Sequence, residues 1–363
     1  MKRLFALWSW IIFSFLVLGC GSSGDDGGSA PPPPPPAFTT ADLAGDSVIL
    51  GVSVRGVNEG LMAGGVTVAS NGNVTYGEYV HSTTPSVTIN VTSGSLSLNG
   101  DGLLSGSINT DVGATSTILY GKLNSSKSFA SFVSSTNFGE YDLVTVIKTG
   151  GSFVQADFQG TWHVCEISSG GSVENVYYGP VTVGSGGSFS TTRVNGSITV
   201  NSTGEFTGSG TLIPSGTVNL SGIMDTTKEL ATYINVYSTG ELSLAVAIKE
   251  TGSSFSLVDL SGTWHFTLAS TGNISEGVSY GTIQLDAAGQ VRGGYYRTTS
   301  GNVSLTGGAV SISSLGVISG SINAADGSTL SIVYGKMNNS KNTITMAGSS
   351  TTGAIDLVIA QKL

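Results

Sequence analysis

The chain has 363 residues, a net charge of −9 and only 10% charged residues, against about 25% in an average domain. Apolar residues make up 39% and recur regularly, which excludes a disordered chain. An acidic balance without basic patches excludes nucleic acid and anionic lipid as electrostatic partners, and 53 glycines amid abundant Ser and Thr give a surface of hydroxyls rather than charges.

Met1-Lys2-Arg3 makes a short positive start, and Leu4 to Leu18 is an apolar run broken only by Ser9 and Ser14. The run is shorter than the ~20 residues that span a bilayer and has the profile of a signal peptide. It ends in Val17-Leu18-Gly19-Cys20. These residues resemble the lipobox of bacterial lipoproteins. The resemblance implies cleavage before Cys20, a diacylglycerol thioether on its sulfur and an acylated amine, with palmitate as the expected acyl chain. It also implies an outer-membrane destination, because Gly21 stands where the inner-membrane retention signal has Asp. Residues 1–19 are thus expected to be the signal peptide, and residues 20–37 a lipidated Cys20 with its tether. The tether begins flexible and ends in Pro31–Pro36, a polyproline II rod of roughly 19 Å.

From residue 38 the chain is one β unit written three times, as modules 38–150, 151–252 and 253–363 of about 105 residues each. Phe255-Ser-Leu-Val-Asp-Leu-Ser-Gly-Thr-Trp264 recurs as Phe153-Val-Gln-Ala-Asp-Phe-Gln-Gly-Thr-Trp162 and, degraded, as Phe38-Thr-Thr-Ala-Asp-Leu-Ala-Gly-Asp-Ser47. The turn Gly121-Lys-Leu-Asn-Ser-Ser-Lys127 recurs as Gly335-Lys-Met-Asn-Asn-Ser-Lys341 and more loosely as Gly222-Ile-Met-Asp-Thr-Thr-Lys228. Closing strands recur at Asp142–Lys148, Ser243–Lys249 and Asp356–Lys362. In the third module Trp264, Phe266 and Leu268 alternate with Thr263, His265 and Thr267, and seven further alternating segments follow with Gly-containing turns between them. No helix signal is present.

The fold expected is all-β, each module an eight-stranded antiparallel meander closing into a small barrel, with an Ig-like β-sandwich as the alternative. The Gly-Thr-Trp opening is similar to the start of lipocalin and avidin-like barrels. That resemblance implies that Trp162 and Trp264 close one barrel end, each under a cation from the last strand, Lys249 or Lys362. A single membrane barrel is not expected, because the alternate faces are rich in Ser and Thr and lack aromatic girdles.

No residues assemble into a catalytic pattern. His163 and His265 hold matching positions after the Trp, where a metal ligand or general base is conceivable, but one His per module does not make a metal site. Both, with His81, read as structural or surface residues, and His265 falls on the strand face expected to meet solvent. Cys165 reads as a small buried residue with nothing nearby to activate its thiol. Strict alternation puts Glu166 on the face of Trp162 and Val164, which calls for a bulge or a place at the rim. Asn99-Gly-Asp-Gly102 has too few carboxylates for Ca²⁺ and reads as a turn. Asp42, Asp157 and Asp259 are expected to shape the turn into each first strand. Neither a metal nor a cofactor is expected.

The function expected is binding of a small apolar ligand or a glycan in the cell envelope by a protein held to the membrane through its N-terminal lipid. Tyr177, Tyr178, Tyr295 and Tyr296 are the candidate ligand-contacting aromatics. A spacer or adhesin is the alternative, and a hydrolase a more distant one.

Overall fold

A computed structural model describes residues 38–55, 59–169, 175–272, 276–298 and 301–363. The signal peptide, Cys20 and the tether lie outside the described residues. Alternating side chains and glycine turns produce 24 antiparallel strands in three closed barrels, each a meander whose last strand pairs back on its first. Barrel 1 comprises β1 (Gly45–Val54), β2 (Gly60–Val68), β3 (Val74–His81), β4 (Thr88–Leu98), β5 (Leu103–Thr110), β6 (Thr115–Leu123), β7 (Phe129–Thr136) and β8 (Tyr141–Lys148). Barrel 2 comprises β9 (Gly160–Ser169), β10 (Val176–Val183), β11 (Ser188–Ser190), β12 (Val194–Val200), β13 (Glu205–Leu212), β14 (Thr217–Met224), β15 (Leu230–Tyr237) and β16 (Leu242–Lys249). Barrel 3 comprises β17 (Gly262–Thr271), β18 (Gly277–Leu285), β19 (Val291–Thr298), β20 (Gly301–Ile312), β21 (Val317–Ala324), β22 (Thr329–Met337), β23 (Thr343–Ser350) and β24 (Ile355–Lys362). Closure removes the free edges that a sandwich would leave.

One end of each barrel is plugged by the repeated opening sequence. A four-residue helical turn, which the strand pattern does not announce, precedes each first strand at Thr40–Leu43, Gln155–Phe158 and Leu257–Leu260. The repeated Asp accepts the cap backbone N–H three residues back: Thr39 to Asp42 at 2.8 Å, Val154 to Asp157 at 2.9 Å, Ser256 to Asp259 at 2.9 Å. A Lys from the turn between the sixth and seventh strands then pairs with it: Lys127–Asp42 at 2.9 Å, Lys228–Asp157 at 2.8 Å, Lys341–Asp259 at 2.8 Å. The same ammonium groups lie over Phe38, Phe153 and Phe255. The hairpin glycines Gly72, Gly187 and Gly289 have φ of 87°, 82° and 73°. A Cβ at any of them would strike the carbonyl of Leu96, Ile198 or Val310, so the turn closes on the fourth strand only with glycine.

The barrels are not independent. Each sets its first two strands against the last strands of another: β1 and β2 on β15 and β16, β9 and β10 on β22 to β24, β17 and β18 on β6 to β8. Three such head-to-tail contacts close into a ring. Their outward side chains form one apolar core drawn from all three barrels, including Val52 and Leu143, Ile167 and Leu244, and Ala347 and Leu357. That is why the closing strands are apolar on both faces: the even positions Asp142, Val144 and Val146 face the barrel interior, while Leu143 and Ile147 face the ring centre. The Lys-bearing turns also meet. Ser128 donates to Asp225 at 2.8 Å, Asn342 to Ser125 at 2.7 Å and Ser340 to Glu229 at 2.9 Å.

Candidate functional site

The barrel interiors differ, and the difference starts on the first strand. Barrel 3 places Trp264, Phe266 and Leu268 inward, and its shaft is filled further by Met337 and Met346. Strand register puts Ser47, Ile49 and Gly51 of barrel 1 at those positions. The lost volume is only partly refilled by Met62, whose Cγ lies 2.8 Å from where a Cβ on Gly51 would stand. A cavity of about 320 Å³ remains. Its middle is walled by aliphatic side chains such as Val66, Leu104, Ile118 and Val144, with Phe132.

Polar groups gather at the end of this cavity away from the Phe38 plug. Asp142 lies inside, accepting hydrogen bonds from Ser53 at 2.6 Å and Ser134 at 3.1 Å. Burial pushes its carboxyl up to about 6 against the lowering effect of the two hydroxyls, with Glu140 adding to the rise. His81 Nε2 is 3.4 Å from Ser53 Oγ, and its Nδ1 is 2.7 Å from Thr83 Oγ1. Burial holds this imidazole below its usual value, opposed by Glu140. His81 is therefore a buried cavity residue rather than a surface one.

Barrel 2 encloses a cavity of about 610 Å³. Phe158 and Trp162 floor it, stacked with centroids 4.6 Å apart. Trp162 Nε1 donates to Phe158 O, and Trp264 Nε1 to Leu260 O, each at 2.8 Å. The cation implied over each ring is Lys249, 5.6 Å from the Trp162 centroid, and Lys362, 5.4 Å from that of Trp264. Toward the mouth, Arg193 lies 3.6 Å from the ring centre of Tyr177. Glu166 faces inward in unbroken register and is buried, so neither a bulge nor a rim position accommodates it. Instead Tyr237 donates to it at 2.6 Å, and Ser243, at the position of Asp142, donates as well. Burial raises its carboxyl against the lowering effect of these donors. Barrel 3 keeps the carboxylate on the closing strand, as Asp356 held by Ser270 and raised by burial to about 6.

Of the candidate aromatics, Tyr177 lines the barrel 2 cavity. Tyr178 points the other way and stacks on Tyr334 of barrel 3, centroids 5.6 Å apart. Tyr296 donates to Asp326 at 2.7 Å, and Tyr295 is partly exposed. Adjacent strand residues face opposite sides, so neither pair forms a two-ring platform.

His163 and His265 do not meet solvent, because the neighbouring barrel covers that face. His163 donates from Nε2 to Glu250 at 2.8 Å, and its Nδ1 pairs with the Tyr334 hydroxyl. His265 Nδ1 pairs with the Tyr120 hydroxyl, and burial lowers its pKa to about 4. Cys165 sits at the same interface depth, its thiol pushed up to about 12 by burial and 4.0 Å from the Tyr334 carbonyl. The third contact has neither partner: register puts Val48 and Ala63 where barrel 2 has His163 and Tyr178, and exposed Ser221 where barrel 3 has Tyr334. The three substitutions go together, a signal within the one sequence that the histidines face tyrosines of another module. Among the described residues no group of three His, Cys, Asp or Glu could hold a metal ion.

No known family matches the chain, and no curated protein matches it. Among solved structures it is similar to a de novo designed fluorescence-activating β-barrel, at 15% identity over 28% of this chain and 93% of that one, with a TM-score of 0.23. It is also similar to a transferrin binding protein B double mutant from Haemophilus parasuis, at 7% identity over 90% of this chain and 76% of that one, TM-score 0.29. A third is HpuA from Kingella denitrificans, solved with human haemoglobin, at 10% identity over 60% and 90%, TM-score 0.28. None of these values supports an inference about what this chain does.

Proposed function

We propose that the chain is a lipid-anchored outer-membrane lipoprotein whose first two barrels each hold a small, largely apolar ligand. The observation that supports this most is the pair of interior cavities, about 320 Å³ and 610 Å³, each lined largely by apolar side chains inside a closed barrel. Apolar walls with a few polar groups at one end favour an apolar body over a glycan. Binding rather than catalysis is supported by the cluster in barrel 1. Ser53 donates directly to Asp142, and His81 turns its other nitrogen to Thr83, so the carboxylate holds the hydroxyl itself rather than through the imidazole.

A neutral probe tests the reading: N-phenyl-1-naphthylamine titrated into the full chain should brighten saturably, and decanol should displace it. Ser47→Trp, which restores the plug of the other barrels, should remove the barrel 1 site. Absence of any saturable binding would leave the second reading, a purely structural role, which the shared core supports. Spacing by a string of separate beads is not favoured, because the barrels share one core. The anchor has a separate test: Cys20→Ala should release the protein from membranes.

A further inference from the structure

The cavity of barrel 1 is polarised along its axis. At the plugged end stands a cation, Lys148, whose ammonium donates to the Asp42 carbonyl at 3.0 Å. At the other end the lining titratable groups are Asp142, Glu140, His81 and Tyr79, and among the residues lining that end there is no Lys or Arg. Asp142 is buried in the cavity lining, and one Ser hydroxyl on each oxygen leaves acceptor capacity on both. A buried carboxylate held only by neutral hydroxyls is a costly anion at neutral pH, and a cation brought to it would relieve that cost. Beyond it, the mouth is rimmed by three exposed apolar side chains from three different loops, Val87, Val112 and Phe138.

Resting on the reading that this cavity binds an apolar body, we infer that barrel 1 takes an aliphatic amine, its ammonium head on Asp142 between Ser53 and Ser134 and its hydrocarbon in the shaft below. The hydrocarbon is guided in by the apolar rim, and the head stops where Asp142, Ser53 and Ser134 supply acceptors. A carboxylate ligand in the same pose would set like charges together. Inverted, it would have to win Lys148 from the Asp42 carbonyl. Barrel 3 carries the equivalent Asp356 on a shaft that Trp264, Phe266 and Leu268 enter, so the carboxyl alone is a feature of the fold. In barrel 1 the carboxyl meets a cavity whose polar end lacks a lining cation, whereas in barrel 2 the cavity lining includes Arg193.

Calorimetric titration of the full chain with decylammonium, decanol and decanoate, each below its micellar concentration, tests this. Decylammonium should bind one site at least tenfold more tightly than decanol, and decanoate more weakly than either. Asp142→Asn should cost that site tenfold or more for the amine and leave decanol within twofold. Should that variant fail to fold, the unmodified chain gives the same answer by pH. Amine affinity should fall as pH drops below about 6, where Asp142 takes its proton, with His81, Glu140 and Tyr79 the other ionisable groups facing that end, while decanol affinity holds. Decanoate binding as tightly as the amine, or an Asp142→Asn protein that keeps full amine affinity, overturns the inference alone. If none of the three binds, the cavity reading falls with it.

Discussion

Barrels 1 and 3 are built from the same strands in the same register, yet the first strand of one turns smaller side chains into its shaft and that of the other larger ones. One strand face carries part of the exchange, Ser47, Ile49 and Gly51 against Trp264, Phe266 and Leu268. A closed barrel tolerates this because its backbone hydrogen bonds, its Asp-capped helical turn and its outer packing do not depend on the interior side chains of that strand. The lesson is that outer faces carry the assembly here, which frees two interiors to differ.

The largest test of that contrast is Trp264→Ser. It should cost about 3–5 kcal/mol, the usual loss for removing a buried indole, read from a shift in denaturant midpoint, and it should open barrel 3 to decanol. Little loss of stability and no new binding would show that the plug does not decide occupancy.

Next in size is the pH response of the carboxyls that barrels 1 and 3 share. Asp142 and Asp356 are raised by burial from an ordinary value of 3.8 to about 6. The folded protein therefore holds their protons more tightly than the unfolded chain. Their stabilisation is complete at low pH and is lost as pH rises from about 4 to about 6, by on the order of 3 kcal/mol each. His81, His163 and His265, whose protonation burial disfavours, act in the opposite sense and add stability as pH rises. The carboxyl effect is therefore read by difference: Asp356→Asn should make urea midpoints climb more steeply with pH across that window than in the unmodified protein. Saturation with decylammonium should change the slope in the same sense, through Asp142 alone.

The interface pairs come third. Tyr120→Phe leaves His265 Nδ1 buried without a partner and should cost about 1–3 kcal/mol, whereas Ser221→Ala, exposed at the equivalent place, should stay within about 0.5 kcal/mol. Equal effects in thermal melts would mean that the three contacts are not distinguished by these residues. Smallest is Lys341→Gly. Lys341 has φ of 56°, a left-handed conformation that glycine adopts freely, but its ion pair with Asp259 and its place over Phe255 are lost. The net change in midpoint should be below about 1 kcal/mol.

Much of the fold is legible in local pattern. Period-2 alternation and recurring Gly turns mark the strands, and the thrice-copied opening marks where each barrel begins. The repeated Asp is readable as a turn residue because its backbone partner is three residues away. The site is less legible. Glu166 looks misplaced on an apolar face until Tyr237 and Ser243, remote in sequence, are brought to it. Placing His265 toward solvent failed because alternation tells which residues share a face and not what lies against it. Two signals pointed the right way: apolar runs such as Leu143–Ile147, too continuous for a half-exposed strand, and the joint replacement of His163, Tyr178 and Tyr334 by Val48, Ala63 and Ser221.

By itself the sequence determined what depends on near neighbours: strand period, turn chemistry, the count of modules and the closure of each barrel by a repeated plug. Only the tertiary structure decided which faces are buried between barrels and which interiors are left open. Both depend on volumes and partners supplied by residues a hundred or more positions away, and no local periodicity records them.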